Sequence, residues 1–317
     1  MTTFKEIRGT AVESVSSDPT NPEVGQIWYN NTIGVLKGYK SLGAVWASGG
    51  NLGTARYELA GAGTQTSALG FGGSTGAVTG ATEEYNGSAW TAGGTMGTAR
   101  RQLAGCGIQT AGLAFGGNTS GSPVSNTEEY DGSAWTAGGV LGTAVRYNAG
   151  AGIQTAGLGF GGYSGGARNN TEEYDGSAWT AGGNLGTARF DLAGAGLQTA
   201  GLAIGGNSSK TATEEYDGSA WTTGGNLNTG RSSLAGAGIQ TAGLAMGGYT
   251  TTQVANTEEY NGTSWTNSTA MTTARYNPGG AGTQTAGLAF GGSPSPGTAA
   301  TEEYTDPTLT IQKLTTS

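Results

Sequence analysis

The feature that most constrains this chain is a repeated stretch, Thr-Glu-Glu-Tyr-Asp-Gly-Ser-Ala-Trp-Thr. It occupies residues 127–136, 171–180 and 213–222, with looser copies at 82–91 and 257–266. A shortened copy at 301–304 runs instead into Thr305, Asp306 and Pro307. Six tryptophans (Trp46, Trp90, Trp135, Trp179, Trp221 and Trp265) are spaced 44, 45, 44, 42 and 44 residues apart. A repeat of this length sets the architecture, because one unit cannot bury its own apolar face and must stack on its neighbours.

Each unit reads as four short strands. Asp131-Gly132 lies between two strand-like runs, and Asp-Gly tolerates the positive φ angles of a type I′ hairpin turn. A two-residue loop there places Tyr130 opposite Ser133 and Glu128 opposite Trp135. Tyr130, Glu128 and Trp135 then share one face, with Glu129 and Ala134 on the other. Upstream, residues 103–107 and 112–115 are apolar runs flanking Ile108-Gln109-Thr110, a tight connection. A helix is disfavoured, since a glycine every second or third residue costs roughly 1 kcal/mol each. Four-stranded units of this length suggest β-propeller blades.

The same residues resemble the kelch repeats. Those combine a methionine-x-x-x-arginine entry, an apolar run ending in a double glycine, and a tyrosine followed by a tryptophan. Here the entry appears as Met96 with Arg100 and Met271 with Arg275. The double glycines are Gly72-Gly73, Gly116-Gly117, Gly161-Gly162, Gly205-Gly206, Gly247-Gly248 and Gly291-Gly292. The resemblance covers roughly residues 46–304 and implies an all-β, six-bladed kelch-like β-propeller with four antiparallel strands per blade. A propeller fold does not by itself fix a function.

Glycine accounts for 63 of 317 residues, which without a period would suggest disorder. With the period, the glycines mark turns and close backbone approach where inner strands crowd an axis. Net charge is −8 and only 11% of residues are charged, which argues against nucleic acid as a partner. No run of 18 apolar residues is present, so no membrane span is expected. Residues 1–6 lack the apolar core of a secretory signal. With one cysteine, Cys106, and no histidine, no intrachain disulfide can form. Cys106 fills a slot held by alanine elsewhere (Ala62, Ala151, Ala195, Ala237 and Ala281) and reads as a small buried residue.

The expected organisation is an N-terminal docking extension at residues 1–40, a propeller at 41–304 and a C-terminal strand or tail at 305–317. The stretch around Trp46 matches the last strand of a unit, and the unit ending at Tyr304 lacks that strand. The N-terminal strand should therefore complete the last blade, closing the ring and removing exposed edges. Residues 308–314 alternate, are β-branched, and could pair with the N-terminal hairpin. That hairpin, residues 26–30 and 34–39, contains Gly-Gln-Ile-Trp-Tyr-Asn-Asn-Thr-x-Gly-Val-Leu-Lys, which resembles segments of bacteriophage tail and virion proteins, especially marine ones. The resemblance implies docking to other virion proteins, with Ile27, Trp28, Tyr29, Val35 and Leu36 as candidate contacts. Capping the propeller edge is the alternative. Location is then a phage particle, or otherwise the cytoplasm.

Compared with one another, the six units keep their strands and vary after each Gly-Gly, at residues 74–81, 118–126, 163–170, 207–212, 249–256 and 293–300. Constant scaffold with variable loops is a common arrangement for recognition. An arginine recurs at Arg56, Arg100, Arg189, Arg231 and Arg275; in the third unit the slot is Val145 and Arg146 follows. Some kelch propellers, by resemblance, bind acidic peptides through such arginines. The alternative is that each pairs with a Glu-Glu doublet, since these doublets supply 12 of the 22 acids. Tyr57, Tyr147, Phe190 and Tyr276 sit beside the arginine slots and could stack on sugars or pack internally. Tyr163, Arg168, Lys210 and Tyr249 supply aromatic and cationic groups in the loops.

Catalysis is not expected. Without histidine a Ser-His triad is impossible, as are the copper ligands of kelch-related oxidases. Adjacent glutamates point to opposite faces of a strand, so a doublet cannot act as a cooperating acid–base pair. No metal or cofactor is implied. The expected function is a non-enzymatic virion protein that presents variable loops to a host-surface glycan or protein. A structural spacer of the particle, or a cellular kelch interaction module, is the alternative.

Overall fold

The computed structural model describes residues 12–20, 26–40, 43–208, 210–293, 297–306 and 310–313. Residues 1–6 and part of the last variable loop, 294–296, lie outside it, as do the ends of the 308–314 segment. The described chain is all β, with no helix and hence none long and apolar enough to cross a membrane. It forms seven four-stranded sheets. Two compact units result, Met1–Ala44 with Asp306–Ser317, and Val45–Thr305.

The larger unit holds six antiparallel sheets of one pattern, an arrangement consistent with a β-propeller. The second is representative. Ala104–Ile108 pairs with Ala111–Phe115, which pairs with Thr127–Tyr130, which pairs with Trp135–Ala137. Gln109 and Thr110 make the first turn. The last hairpin departs from a two-residue turn: Tyr130 faces Trp135, and the loop has four residues. Asp131 causes this. Its Oδ1 accepts hydrogen bonds from the Ser133 and Ala134 N–H groups and the Ser133 hydroxyl, each at 2.8 Å, closing an Asx turn. These bonds also lower the Asp131 pKa, the Ala134 N–H foremost. The register differs from the two-residue turn by two, an even number, so Tyr130, Glu128 and Trp135 still share a face.

In the sixth sheet, Gly279–Gly282, Ala286–Phe290 and Thr301–Thr305 are completed by Val45–Ser48 from the start of the chain, with Tyr304 opposite Trp46. The edge of Thr301–Thr305 is thereby paired rather than exposed. The first strand of each sheet packs against those of the sheets before and after it, and Gly279–Gly282 packs against Ala60–Thr64, returning the order to its start. Glycine permits that approach. A Cβ on Gly61 would lie 2.4 Å from the Gly280 carbonyl oxygen, and one on Gly105 2.4 Å from the Phe71 ring.

Three side-chain bonds recur between neighbouring sheets. Each outer-strand tryptophan donates its indole N–H to the threonine that opens the preceding sheet's Thr-Glu-Glu-Tyr strand: Trp135 to Thr82, Trp179 to Thr127, and, across the closure, Trp90 to Thr301 and Trp46 to Thr257. Each turn glutamine donates to two carbonyls of the preceding sheet, as Gln109 does to Ala68 and Tyr85. Each tyrosine donates to the second glutamate of the preceding doublet, as Tyr130 does to Glu84 and Tyr174 to Glu129, both at 2.5 Å. Burial, and then that carboxylate, raise these phenols to about 12. The tryptophans also stack on apolar side chains of the preceding sheet, with ring centroids 5.0 Å apart for Phe71–Trp135 and 4.7 Å for Trp90–Phe290.

The smaller unit has its own sheet. Ile27–Asn30 and Val35–Lys40 form the expected hairpin, Thr310–Lys313 adds antiparallel to Val35–Lys40, and Glu13–Val15 adds parallel to Ile27–Asn30. Asp18 ties it together, accepting from Lys37 Nζ at 2.6 Å, Asn30 Nδ2 at 3.0 Å and the Trp28 indole at 3.1 Å.

Closure through Val45–Ser48 makes a direct prediction. A chain lacking residues 1–48 should melt well below the full chain and associate through the bared edge, whereas one lacking residues 1–42 should keep the melting temperature of the larger unit. Calorimetry with light scattering decides it, and equal melting of the two truncations would contradict the pairing.

Candidate functional site

The five slot arginines are fully buried. Each pairs with the first glutamate of its own sheet's doublet: Arg56 with Glu83 at 2.9 Å, Arg100 with Glu128 at 3.1 Å, Arg189 with Glu214 at 3.0 Å, and Arg231 and Arg275 with Glu258 and Glu302. The guanidinium also donates to backbone carbonyls, as Arg56 does to Gly72 and Ala81. The glutamate accepts backbone N–H groups, Gly97 and Thr98 in the case of Glu128. Burial lowers the arginine pKa, to about 10 at Arg100, and the carboxylate partly offsets it. These arginines are committed inside the sheets. Of the alternatives read in the sequence, the geometry is that of the ion pair.

Two residues past each arginine slot lies a second recurring feature. Glu58, Gln102, Tyr147, Asp191, Ser233 and Asn277 all have φ between 51° and 59°, the left-handed region that non-glycine residues rarely adopt. Their backbones form a closed circle. Gln102 N–H donates to Glu58 O, Tyr147 to Gln102, Asp191 to Tyr147, Ser233 to Asp191, Asn277 to Ser233, and Glu58 to Asn277, at 2.8–3.1 Å. The six side chains line one recess, over a floor that includes Leu59, Leu103 and Leu192.

The side chains in this circle interact. Gln102 Nε2 donates to Glu58 Oε1 at 2.9 Å and to the Tyr147 hydroxyl at 2.6 Å, and that hydroxyl lies 3.2 Å from Glu58 Oε1. Arg101 pairs with Glu58 at 3.1 Å, and Asn207 Nδ2 donates to Asp191 Oδ2 at 3.2 Å. Burial pushes the Asp191 carboxyl up to about 6, with Glu58 adding to the rise and Ser233 opposing it. Burial, with Glu58 and Asp191, raises the Tyr147 phenol.

The variable loops reach the same place. Single bridges join Tyr57 to Ser74, Arg101 to Asn118, Arg146 to Tyr163, Phe190 to Asn207, Ser232 to Tyr249 and Tyr276 to Ser293. Each links a residue beside an arginine slot to the residue after a Gly-Gly. Arg146 therefore sits over the rings of Tyr163 and Tyr147, at 5.3 and 5.7 Å. Phe190 lies edge-on to Tyr163 at 5.2 Å, and Tyr249 edge-on to Tyr276 at 5.6 Å. Lys210 Nζ donates to the Thr250 carbonyl and Arg168 to that of Ser164. The structure thus gathers Arg146, Tyr147, Tyr163 and Phe190 into one cluster beside the recess, while Tyr249 remains exposed.

The Asp-Gly-Ser turns lie elsewhere, with Gly132 packed against Thr110 of the Gln-Thr turn. Ile108, Ile153, Leu197 and Ile239, which precede those Gln-Thr turns, are about half exposed. Cys106 is buried, and burial raises its thiol to about 12, so it behaves as the small apolar residue its slot suggests. In the smaller unit Trp28 is buried in its own sheet; Tyr29 is exposed, and Ile27, Val35 and Leu36 are partly so. The sequence marks these positions only in that each unit carries a different residue two past the arginine slot; nothing in it marks their left-handed backbone.

No family model matches the chain, and no curated protein is similar to it.

Two outcomes follow. Arg100→Ala should destabilise by roughly 3–5 kcal/mol, because Glu128 is left buried and unpaired; a change within 0.5 kcal/mol by denaturant titration would contradict the pairing. For Asp191, the folded state holds a proton more tightly than the unfolded chain. Its contribution to stability is therefore present below about pH 4 and lost as pH rises through about 6. Asp191→Asn should flatten that fall, which is at most on the order of 1 kcal/mol per pH unit. An unchanged pH profile of the melting temperature would contradict it.

Proposed function

We propose that the larger unit is a six-bladed propeller of kelch type and serves as a binding module rather than an enzyme. In this reading the axial recess and the loops after each Gly-Gly face a host-surface glycan or protein. The chain is a bacteriophage virion component, associated with tail or capsid, and docks to its assembly through the smaller unit.

One observation carries the recognition claim. The frame is nearly the same in all six sheets, yet the six left-handed positions at the axis carry glutamate, glutamine, tyrosine, aspartate, serine and asparagine. Holding non-glycine residues in that conformation costs about 1 kcal/mol or more each. Ring closure alone would be served by glycine at every one of them. The retained side chains are carboxylate, amide, phenol and hydroxyl, a set that hydrogen-bonds to polyols and peptide groups. The aromatic faces of Tyr163, Phe190 and Tyr147 beside them suit sugar rings.

The carboxylates of the doublets are occupied, the first by backbone N–H groups and, in five of the six sheets, an arginine, and the second by a tyrosine, which supports a role in scaffolding rather than turnover. The hairpin's resemblance to phage virion proteins supports the location.

Glycan arrays and attachment to host cells test this. Tyr163→Ala with Phe190→Ala should weaken binding about tenfold or more, in line with ring contacts worth about 1.5 kcal/mol, with melting within a few degrees of the parent. Unchanged attachment in that variant, with loss on altering Asp131 and Asp175 in the opposite turns, would overturn the assignment and favour a structural spacer.

A further inference from the structure

Arg146 stands apart from the other cations of the larger unit. Arg56, Arg100, Arg189, Arg231 and Arg275 are each paired with a glutamate inside a sheet. Arg101 is paired with Glu58, while Arg168 and Lys210 donate to the carbonyls of Ser164 and Thr250. That leaves Arg146: among the described residues its guanidinium has neither an ion pair nor a hydrogen bond. Its Nε is sealed from solvent, but its terminal nitrogens are open. With Val145 in the buried slot, the arginine of the third sheet stands one residue along, on the face of the variable loops. Two rings hold it there, Tyr163 at 5.3 Å and Tyr147 at 5.7 Å, with Phe190 edge-on to Tyr163 at 5.2 Å. Such stacking fixes a guanidinium without using its N–H groups. All four side chains are partly exposed.

Tyr147 joins this cluster to the axial recess. Arg146 lies over its ring, while its hydroxyl accepts from Gln102 and donates to Glu58 inside the recess. The recess is rich in acceptors. Glu58 is balanced by Arg101, whereas Asp191 is met by neutral donors, the Asn207 amide and Ser233. At about 90 Å³ the recess has room for several waters. It therefore takes the hydroxyls along one edge of a sugar rather than a whole ring. An open guanidinium, aromatic planes and hydroxyl acceptors thus adjoin on one face. A neutral sugar leaves the guanidinium unmatched, and an acidic peptide brings further carboxylates toward Glu58 and Asp191.

We propose that, given the recognition role proposed above for this face, the Arg146 cluster selects an acidic sugar. Its carboxylate or sulfate group takes the open N–H groups of Arg146 in charge-assisted bonds. Its ring lies against Tyr163 and Phe190, and its hydroxyls donate into the recess.

The test is amide NMR of the full chain titrated separately with methyl glucuronide, glucose 6-sulfate, neutral methyl glucoside and a capped triglutamate peptide. Saturable shifts at the Tyr147 and Tyr163 amides are expected with the acidic sugars, about tenfold tighter than with the glucoside, the difference made by one charge-assisted contact. The tighter of the two acids identifies the group as carboxylate or sulfate. Arg146→Gln removes no protein partner but the stacked rings, so it should melt within a few degrees of the parent. It should abolish the preference and leave glucoside binding unchanged. Equal binding of glucoside and acids in the parent, or a preference that survives Arg146→Gln, would overturn the selection of acidic sugars while leaving glycan recognition standing. Absence of saturable shifts with every sugar, or tighter binding of the peptide, would overturn both.

Discussion

The structure depends on the paired carboxylates of each Thr-Glu-Glu-Tyr strand. Adjacent residues of a strand face opposite ways, so one doublet serves two partners. In five of the six sheets its first member meets a buried guanidinium in the same sheet, and in all six its second meets a tyrosine hydroxyl of the next. A buried ion pair is weak as a source of stability, but breaking one is costly. The consequence is orientation: five sheets are tied internally at the arginine, and all six laterally at the tyrosine. With glycine where the first strands of neighbouring sheets approach, leaving no room for a Cβ, the tryptophan and glutamine bonds fix the spacing of the neighbours.

Much of this was legible in the sequence because it repeats. The period of the tryptophans gave the number of units, and the missing strand after Tyr304 pointed to Trp46 as its replacement, which the pairing shows. The Arg–Glu pairing was one of two open readings, since spacing alone does not say whether an arginine points inward or toward a ligand. The Asp131 loop is longer than the sequence suggests because the Asp-Gly dipeptide signals a tight turn while the competing side-chain bonds to Ser133 and Ala134 depend on three-dimensional closure. The second glutamate's partner lies about 45 residues away on another sheet, beyond any local pattern.

The left-handed circle was hidden for a different reason. Residue type signals positive φ when it is glycine, asparagine or aspartate, and only Asp191 and Asn277 of the six obey that rule. Strain imposed by ring closure overrides local preference. The circle also explains how one frame tolerates such different residues: its backbone bonds use no side-chain atoms, so chemistry at the axis can change without disturbing closure. That separation of frame from face is what a recognition surface requires.

The larger unit closes on itself through this backbone circle. Amide hydrogen exchange of Glu58, Gln102, Tyr147, Asp191, Ser233 and Asn277 measures it directly. Closure predicts that all six exchange only through global unfolding, with one common opening free energy that includes the junction from Asn277 to Glu58. Exchange at Glu58 that is orders of magnitude faster than at the other five would contradict it, because an open array would leave that amide unpaired.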